Sequence, residues 1–131
     1  MNSEQLAALI AGYADDKKAQ SIVELDLRSV VDYTDFFVIC SGGSDRQVKA
    51  IHDGILMGLK SEHALLPTRV EGLPRAQWVL LDYLDVIVHV FMPDVREYYS
   101  LERLWGEVPV RAIGAAAAAG AAAAAGAAPA A

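Results

Sequence analysis

The sequence has little of what secreted, membrane and disulfide-bonded proteins require. It contains one cysteine, Cys40, so no disulfide can form within the chain. No basic start followed by an apolar run opens the sequence, and no strongly apolar run reaches the roughly 18 residues that a membrane-spanning helix needs. We therefore expect a cytoplasmic protein without a membrane span.

Basic charge is also scarce. The 11 Lys and Arg residues stand against 17 Asp and Glu residues, which gives a formal net charge of −6. Proteins that hold nucleic acids through phosphate contacts need a basic excess, because each contact neutralises a phosphate. The composition therefore argues against such a protein, and we expect no sequence-specific nucleic-acid partner.

Known catalytic signatures are missing as well. The sequence contains no Walker loop, no G-x-S-x-G motif and no H-E-x-x-H motif. The histidines at positions 52, 63 and 89 are far apart and lack cysteines at the spacing of zinc ligands. We expect no catalytic residue, no metal and no cofactor, and we interpret His89, which lies among valines, as a packed or partner-facing imidazole.

Two parts of the chain differ sharply in composition. Residues 1–113 have the mixed composition of one globular domain. Residues 114–131 consist of 14 Ala, 3 Gly and one Pro. Because each glycine costs a helix about 1 kcal/mol, we predict that this Ala/Gly segment is a disordered or fraying extension.

The spacing of apolar residues over 1–113 predicts both helices and strands. Helices are expected over residues 3–18, from Ser44 until before Pro67, and from Pro93 to Trp105, the last with Tyr98 and Tyr99 among its apolar residues. Strands are expected over residues 23–27, 36–40, 69–71, 77–83 and 86–92. Ser44 and Gln47 have the spacing of a capping box, and Leu84 and Asp85 join the last two strands as a hairpin. This order is typical of an α+β domain with a mixed β-sheet flanked by helices.

The turn that begins at Ser41 and ends at Ser44 is a candidate phosphate site. It joins a buried strand to a helix N-terminus, where free amides and the helix dipole favour an anion. Nucleotidyltransferases combine such a turn with two or three metal-binding carboxylates. Here Asp82 and Asp85 lie three residues apart, on opposite strand faces or across a turn, so the constellation is incomplete. A helix cap is favoured, and a nucleotide-binding protein or nucleotidyltransferase-type enzyme remains the alternative.

The hairpin is more informative. Its first strand has Trp78, Leu80 and Asp82 on one face, and Tyr83 on the other face. Trp78 and Leu80 either lie under a helix or form an exposed aromatic patch of the kind that anchors protein interfaces. Asp82, Asp85 and Asp94 around the hairpin either form an acidic rim that suits a basic protein partner or are simply a solvated edge.

Several segments, in order between about Leu6 and Trp105, resemble one family. They read TDFFVICSG at 34–42, SDRQV at 44–48, EG at 71–72, WVLLDY at 78–83, DVIVHVF at 85–91 and YSLERLW at 99–105. Together they strongly resemble the Iojap family, the bacterial ribosomal silencing factors. The ordered set is specific, whereas a single piece such as the glycine turn is not.

The resemblance implies a nucleotidyltransferase-like α+β fold without the catalytic carboxylates. It also implies a non-enzymatic repressor that binds ribosomal protein L-fourteen on the large ribosomal subunit. Bound there, family members sterically block joining of the small subunit and lower translation when nutrients are scarce; free members are often homodimers. Carried over by position, the partner surface includes Trp78, Asp82, Tyr83, Asp85 and His89, together with Leu80 and Arg46.

This sequence departs from the family pattern at two places. Leu84 stands where the family commonly has glycine in the hairpin turn. A leucine there either alters the backbone of the turn or offers an additional apolar contact. The Ala/Gly segment after residue 113 has no counterpart in the family pattern.

Overall fold

The computed structural model describes residues 1–113, and the extension predicted over 114–131 lies outside the described residues. The helices are α1 (Ser3–Asp16), α2 (Asp45–His63) and α3 (Pro93–Tyr99), and a 3-10 helix covers Leu101–Trp105. The strands are β1 (Gln20–Asp26), β2 (Phe36–Ser41), β3 (Arg69–Glu71), β4 (Trp78–Asp82), β5 (Val86–Phe91) and β6 (Val110–Ile113). The predicted α+β class is confirmed.

All the strands of the described region belong to one mixed sheet in the order β3-β4-β5-β2-β1-β6. Strands β2 and β5 pair in parallel, and the other neighbours are antiparallel. Every residue of β2 and β5 is buried, as the continuous apolar run at 36–40 predicts for a central strand. Strands β2 and β5 therefore form the buried centre of the sheet, and the shorter strands β3 and β6 form its edges.

Local side-chain contacts set the helix ends. Helix α1 begins with a complete capping box, in which Asn2 and Gln5 each accept a hydrogen bond from the backbone N–H of the other. At α2 only half of the predicted box forms. The Ser44 hydroxyl accepts from the Gln47 N–H at 3.1 Å, whereas the Gln47 side chain accepts from the Gly43 N–H at 2.7 Å. Helix α2 ends at His63, is followed by a left-handed Ala64 and so stops before Pro67, as predicted.

Each face of the sheet has its own core. Helices α1 and α2 cover one face, which we call the helix face, and its core includes Ile10, Val38, Ile51 and Val88. The other face carries a smaller cluster of Leu25, Leu27, Phe37, Ile39, Ile87 and Phe91. Only short segments, including Val95 of α3 and Trp105 of the 3-10 helix, pack on this second cluster. The second face is therefore the less completely covered one.

The prediction of one helix from Pro93 to Trp105 is wrong. Helix α3 ends at Tyr99, because Ser100 takes a left-handed conformation with φ 46°. The following residues turn back so that Glu102 forms a 2.8 Å ion pair with the buried Arg96. Arg96 also donates to the Ser21 carbonyl and the Ser41 hydroxyl, each at 2.9 Å. These hydrogen bonds tie the break in the helix to β1 and β2.

Strand β6 is not predicted by the sequence pattern. It pairs with β1, with Val23 opposite Ala112 and Leu25 opposite Val110. Strand β6 has only four residues, and one of them is charged. Its alternation of apolar and polar residues is therefore too weak to indicate a strand. Pairing with the free edge of β1 determines this element instead.

Strands β4 and β5 form the predicted antiparallel hairpin, and Tyr83, Leu84 and Asp85 lie between them, one residue more than predicted. Leu84 has φ 71°, and the Asp85 N–H donates to the Tyr83 carbonyl at 2.9 Å across it. This is the tight three-residue geometry of a γ-turn. A positive φ favours glycine, so Leu84 adopts a strained backbone conformation at the tip of the hairpin.

Candidate partner surface on the hairpin

The hairpin places most of the predicted partner residues on the second face of the sheet. Trp78, Leu80 and Asp82 alternate along β4 on this face, and each is half-buried. Asp85 is exposed in the hairpin turn. We call Trp78, Leu80, Asp82 and Asp85 the hairpin surface. Trp78 and Leu80 are thus neither completely buried under a helix nor fully exposed.

Aromatic rings surround Trp78 from the core outward. Its indole stacks on the buried Phe91, with ring centroids 4.8 Å apart, and contacts Tyr99 of α3 at 4.9 Å. Tyr98 lies beyond Tyr99, with ring centroids 5.0 Å apart. Tyr98 and Tyr99 are 81% and 53% exposed, so they extend the hairpin surface rather than fill the core. The apolar spacing of the last helix did not predict that these tyrosines belong to this surface, although two adjacent tyrosines rarely both face the core from one helix.

His89 lies beneath Trp78 and is 4% exposed. The Trp78 Nε1–H donates to His89 Nδ1 at 3.1 Å, and the imidazole meets the Phe37 ring edge-on with centroids 4.7 Å apart. Burial lowers the pKa of His89 to about 4, because the low-dielectric surroundings disfavour its charged form. His89 is therefore a packed, neutral imidazole that contacts the surface through Trp78.

Carboxylates form the rim at the turn end of the hairpin. Asp82 accepts a hydrogen bond from the Leu84 N–H at 2.8 Å and lies 3.8 Å from the guanidinium of Arg69 on β3. Asp85 is exposed and takes part in no ion pair within residues 1–113. One of the two rim carboxylates is thus available to a basic group from outside.

The structure does not bring Tyr83 and Arg46 to this surface. Tyr83 is 6% exposed and belongs to the core of the helix face. Burial raises its pKa to about 12, and its hydroxyl has no partner in the described region. Arg46 is exposed on the first turn of α2, the helix that covers the helix face. The period of two along the strand already placed Tyr83 opposite Trp78.

The glycine turn is occupied by the protein's own groups. The Gly42 N–H donates to the Phe91 carbonyl at 2.9 Å, and the Gly43 N–H donates to the Gln47 side chain at 2.7 Å. A Cβ on Gly42 would lie 2.8 Å from the Val48 nitrogen, so close packing explains this glycine. These amides are not free to bind a phosphate, and the helix-cap interpretation is favoured by the geometry.

Residues 1–113 lack two further features. No group of three or more His, Cys, Asp or Glu side chains in that range is placed to hold a metal ion. Over the same residues, no helix combines the length and the apolar character needed to cross a membrane.

Comparison with known proteins gave consistent matches. Residues 1–130 match the family model described as ribosomal silencing factor during starvation. A ribosomal silencing factor of Halalkalibacterium halodurans is 44% identical over 110 residues, which cover 83% of this chain and 92% of that protein. A crystal structure of a Chromobacterium violaceum protein has a TM-score of 0.78 at 36% identity and covers 81% of this chain and 88% of its own. A mouse protein named mitochondrial assembly of ribosomal large subunit protein 1 is 32% identical over 91 residues, 68% of this chain and 40% of its own length.

Proposed function

This chain belongs to the ribosomal silencing factor family, and we propose that it lowers translation by binding the large ribosomal subunit and blocking the joining of the small subunit. The names of its relatives support a role in silencing ribosomes, and the name of the mouse relative supports the large subunit. The observation that carries the proposal is the hairpin surface, where a half-buried tryptophan and a half-buried carboxylate lie beside an exposed carboxylate and two exposed tyrosines. We propose a cytoplasmic place of action.

We further propose that the contact is made to a protein of the large subunit, ribosomal protein L-fourteen. A chain with a net charge of −6 is repelled by rRNA, whereas the acidic rim at Asp82 and Asp85 attracts a basic protein. Trp78 and Tyr99 supply the aromatic area that typically dominates the energy of protein interfaces. Both features favour a protein partner over direct binding to RNA.

The proposed action is steric and not enzymatic. A folded domain of this size is roughly 30 Å across, which is large enough to obstruct the approach of a second subunit when it is docked on a subunit-facing protein. The satisfied amides of Gly42 and Gly43 support the absence of nucleotide chemistry at the turn. When free, the chain is proposed to form a homodimer, as the resemblance to the family implies.

Co-sedimentation with purified large and small subunits tests the proposed contact. The wild-type chain should sediment with large subunits only. Trp78→Ala should weaken binding by about 30-fold or more, because loss of an aromatic anchor typically costs on the order of 2 kcal/mol. Met57→Ala is the matched control, since Met57 is an exposed apolar residue on α2, away from the hairpin surface. Unchanged binding of a folded Trp78→Ala variant would contradict the assignment of this surface.

A further inference from the structure

Trp78 is held on several sides before any partner arrives. Phe91 stacks beneath the indole, Tyr99 contacts it from α3, and His89 Nδ1 accepts its N–H at 3.1 Å. In the register of the hairpin Trp78 pairs with Phe91, so His89 is its diagonal neighbour on β5. Diagonal neighbours on one face of an antiparallel pair lie within reach of long side chains. The orientation of the indole is therefore fixed by Phe91 and His89 of the hairpin together with Tyr99 of α3.

The hydrogen bond defines the protonation of His89. A tryptophan N–H can only donate, so Nδ1 of His89 must be an unprotonated acceptor, and the proton of the neutral ring is on Nε2. Nε2 is buried and has no hydrogen-bond partner in the described region. Burial also lowers the pKa of His89, which keeps Nδ1 available as an acceptor near neutral pH.

Packing alone does not explain a histidine at position 89. A leucine would fill a similar volume among Phe37, Phe91 and Trp78 without leaving a buried nitrogen unpaired, and an unpaired buried donor lowers stability. The only hydrogen bond that the His89 side chain makes within residues 1–113 is the one to Trp78. The property that a leucine could not supply is thus an acceptor for the indole.

We propose that His89 is a positioning residue, which fixes the Trp78 indole in the orientation that docks on the large ribosomal subunit. The inference rests on the proposed function, because it assigns His89 a role in that same contact. A side chain that is already ordered loses less conformational freedom on binding, so pre-organisation raises affinity without a new contact. His89 acts through Trp78 and does not touch the partner.

The hydrogen bond is tested first, without ribosomes. In a ¹⁵N-labelled chain the Trp78 indole N–H should be shifted and protected from exchange with solvent. His89→Leu should abolish both properties, whereas His89→Asn, which keeps an acceptor near the position of Nδ1, should retain them. The indole of Trp105 serves as the internal reference. Indole signals and exchange rates that are the same in wild type and His89→Leu would overturn the inference.

Binding to large subunits then tests the positioning role. His89→Leu should weaken binding about 2- to 10-fold, the effect of releasing one or two side chains from a fixed orientation, and His89→Asn should restore it. In a Trp78→Phe background, which lacks the donor, His89→Leu should have no further effect. An equal loss in both backgrounds would show that His89 does not act through Trp78 and would overturn the role.

The two proposals fail in different ways. If the wild-type chain does not bind large subunits, the proposed function is wrong, and the docking role of His89 falls with it. The indole measurement still decides whether the hydrogen bond orders Trp78. If the wild-type chain binds large subunits and His89→Leu binds them equally well, the proposed function stands and the positioning role is wrong.

Discussion

Acidification should destabilise the fold through His89. The pKa of this side chain falls from 6.5 in the unfolded chain to about 4 in the folded protein, because the ring is buried. Between these two pH values the unfolded state binds more protons than the folded state. The contribution of neutral His89 to the unfolding free energy is therefore fully present above about pH 6.5 and is lost as the pH falls through about 4. The difference between the two pKa values corresponds to about 3 kcal/mol of unfolding free energy, of which about 2 kcal/mol is lost between pH 7 and pH 5.

Urea unfolding at a series of pH values measures this effect. The contribution of His89 is the difference in the pH dependence of the unfolding free energy between wild type and His89→Leu, since all other groups are shared. The difference should change by about 2 kcal/mol between pH 7 and pH 5 and should be constant above pH 7. Parallel pH profiles for the two proteins would refute the assignment of His89 as a buried, neutral imidazole.

Other substitutions and one chemical probe test the fold around the hairpin. Gly72→Ala should lower the unfolding free energy by about 3 kcal/mol or more, since Gly72 has φ 103° and an added Cβ would lie 2.0 Å from the Trp78 carbonyl oxygen. An unchanged midpoint of urea unfolding would be inconsistent with this turn. Leu84→Gly should raise the unfolding free energy by up to about 1 kcal/mol by relieving the positive φ, and a loss of stability would show that the exposed leucine makes a contact that outweighs the strain. Burial raises the pKa of Cys40 to about 12, so the native thiol should resist an aromatic disulfide reagent at pH 8 and react only in denaturant. Rapid modification of the thiol in the folded chain would contradict the packing of β2.

Local patterns predicted the elements whose residues carry strong signals. The apolar run of β2 has no polar alternation, so it indicates a strand buried on both faces. Ser44 and Pro67 bracket α2 because one supplies a side-chain acceptor and the other disfavours helix before it. The alternation along β4 placed Trp78, Leu80 and Asp82 on one face, as the structure confirms.

Contacts between distant parts of the chain were beyond local patterns. The break at Ser100 depends on the ion pair of the buried Arg96 with Glu102, and on the anchoring of Arg96 to β1 and β2. Strand β6 exists because β1 offers it a free edge. The position of His89 beneath Trp78 follows from the register of the hairpin, which a strand pattern does not fix.

The joining of ribosomal subunits tests the central claim most directly. Isolated large subunits are incubated with increasing amounts of the chain, small subunits are added, and the fraction of joined ribosomes is measured by light scattering. The proposed function predicts a dose-dependent loss of joined ribosomes with wild type and with Met57→Ala, and a much weaker effect of Trp78→Ala. A chain that binds large subunits but leaves joining unchanged would contradict the claim that it silences ribosomes by steric exclusion.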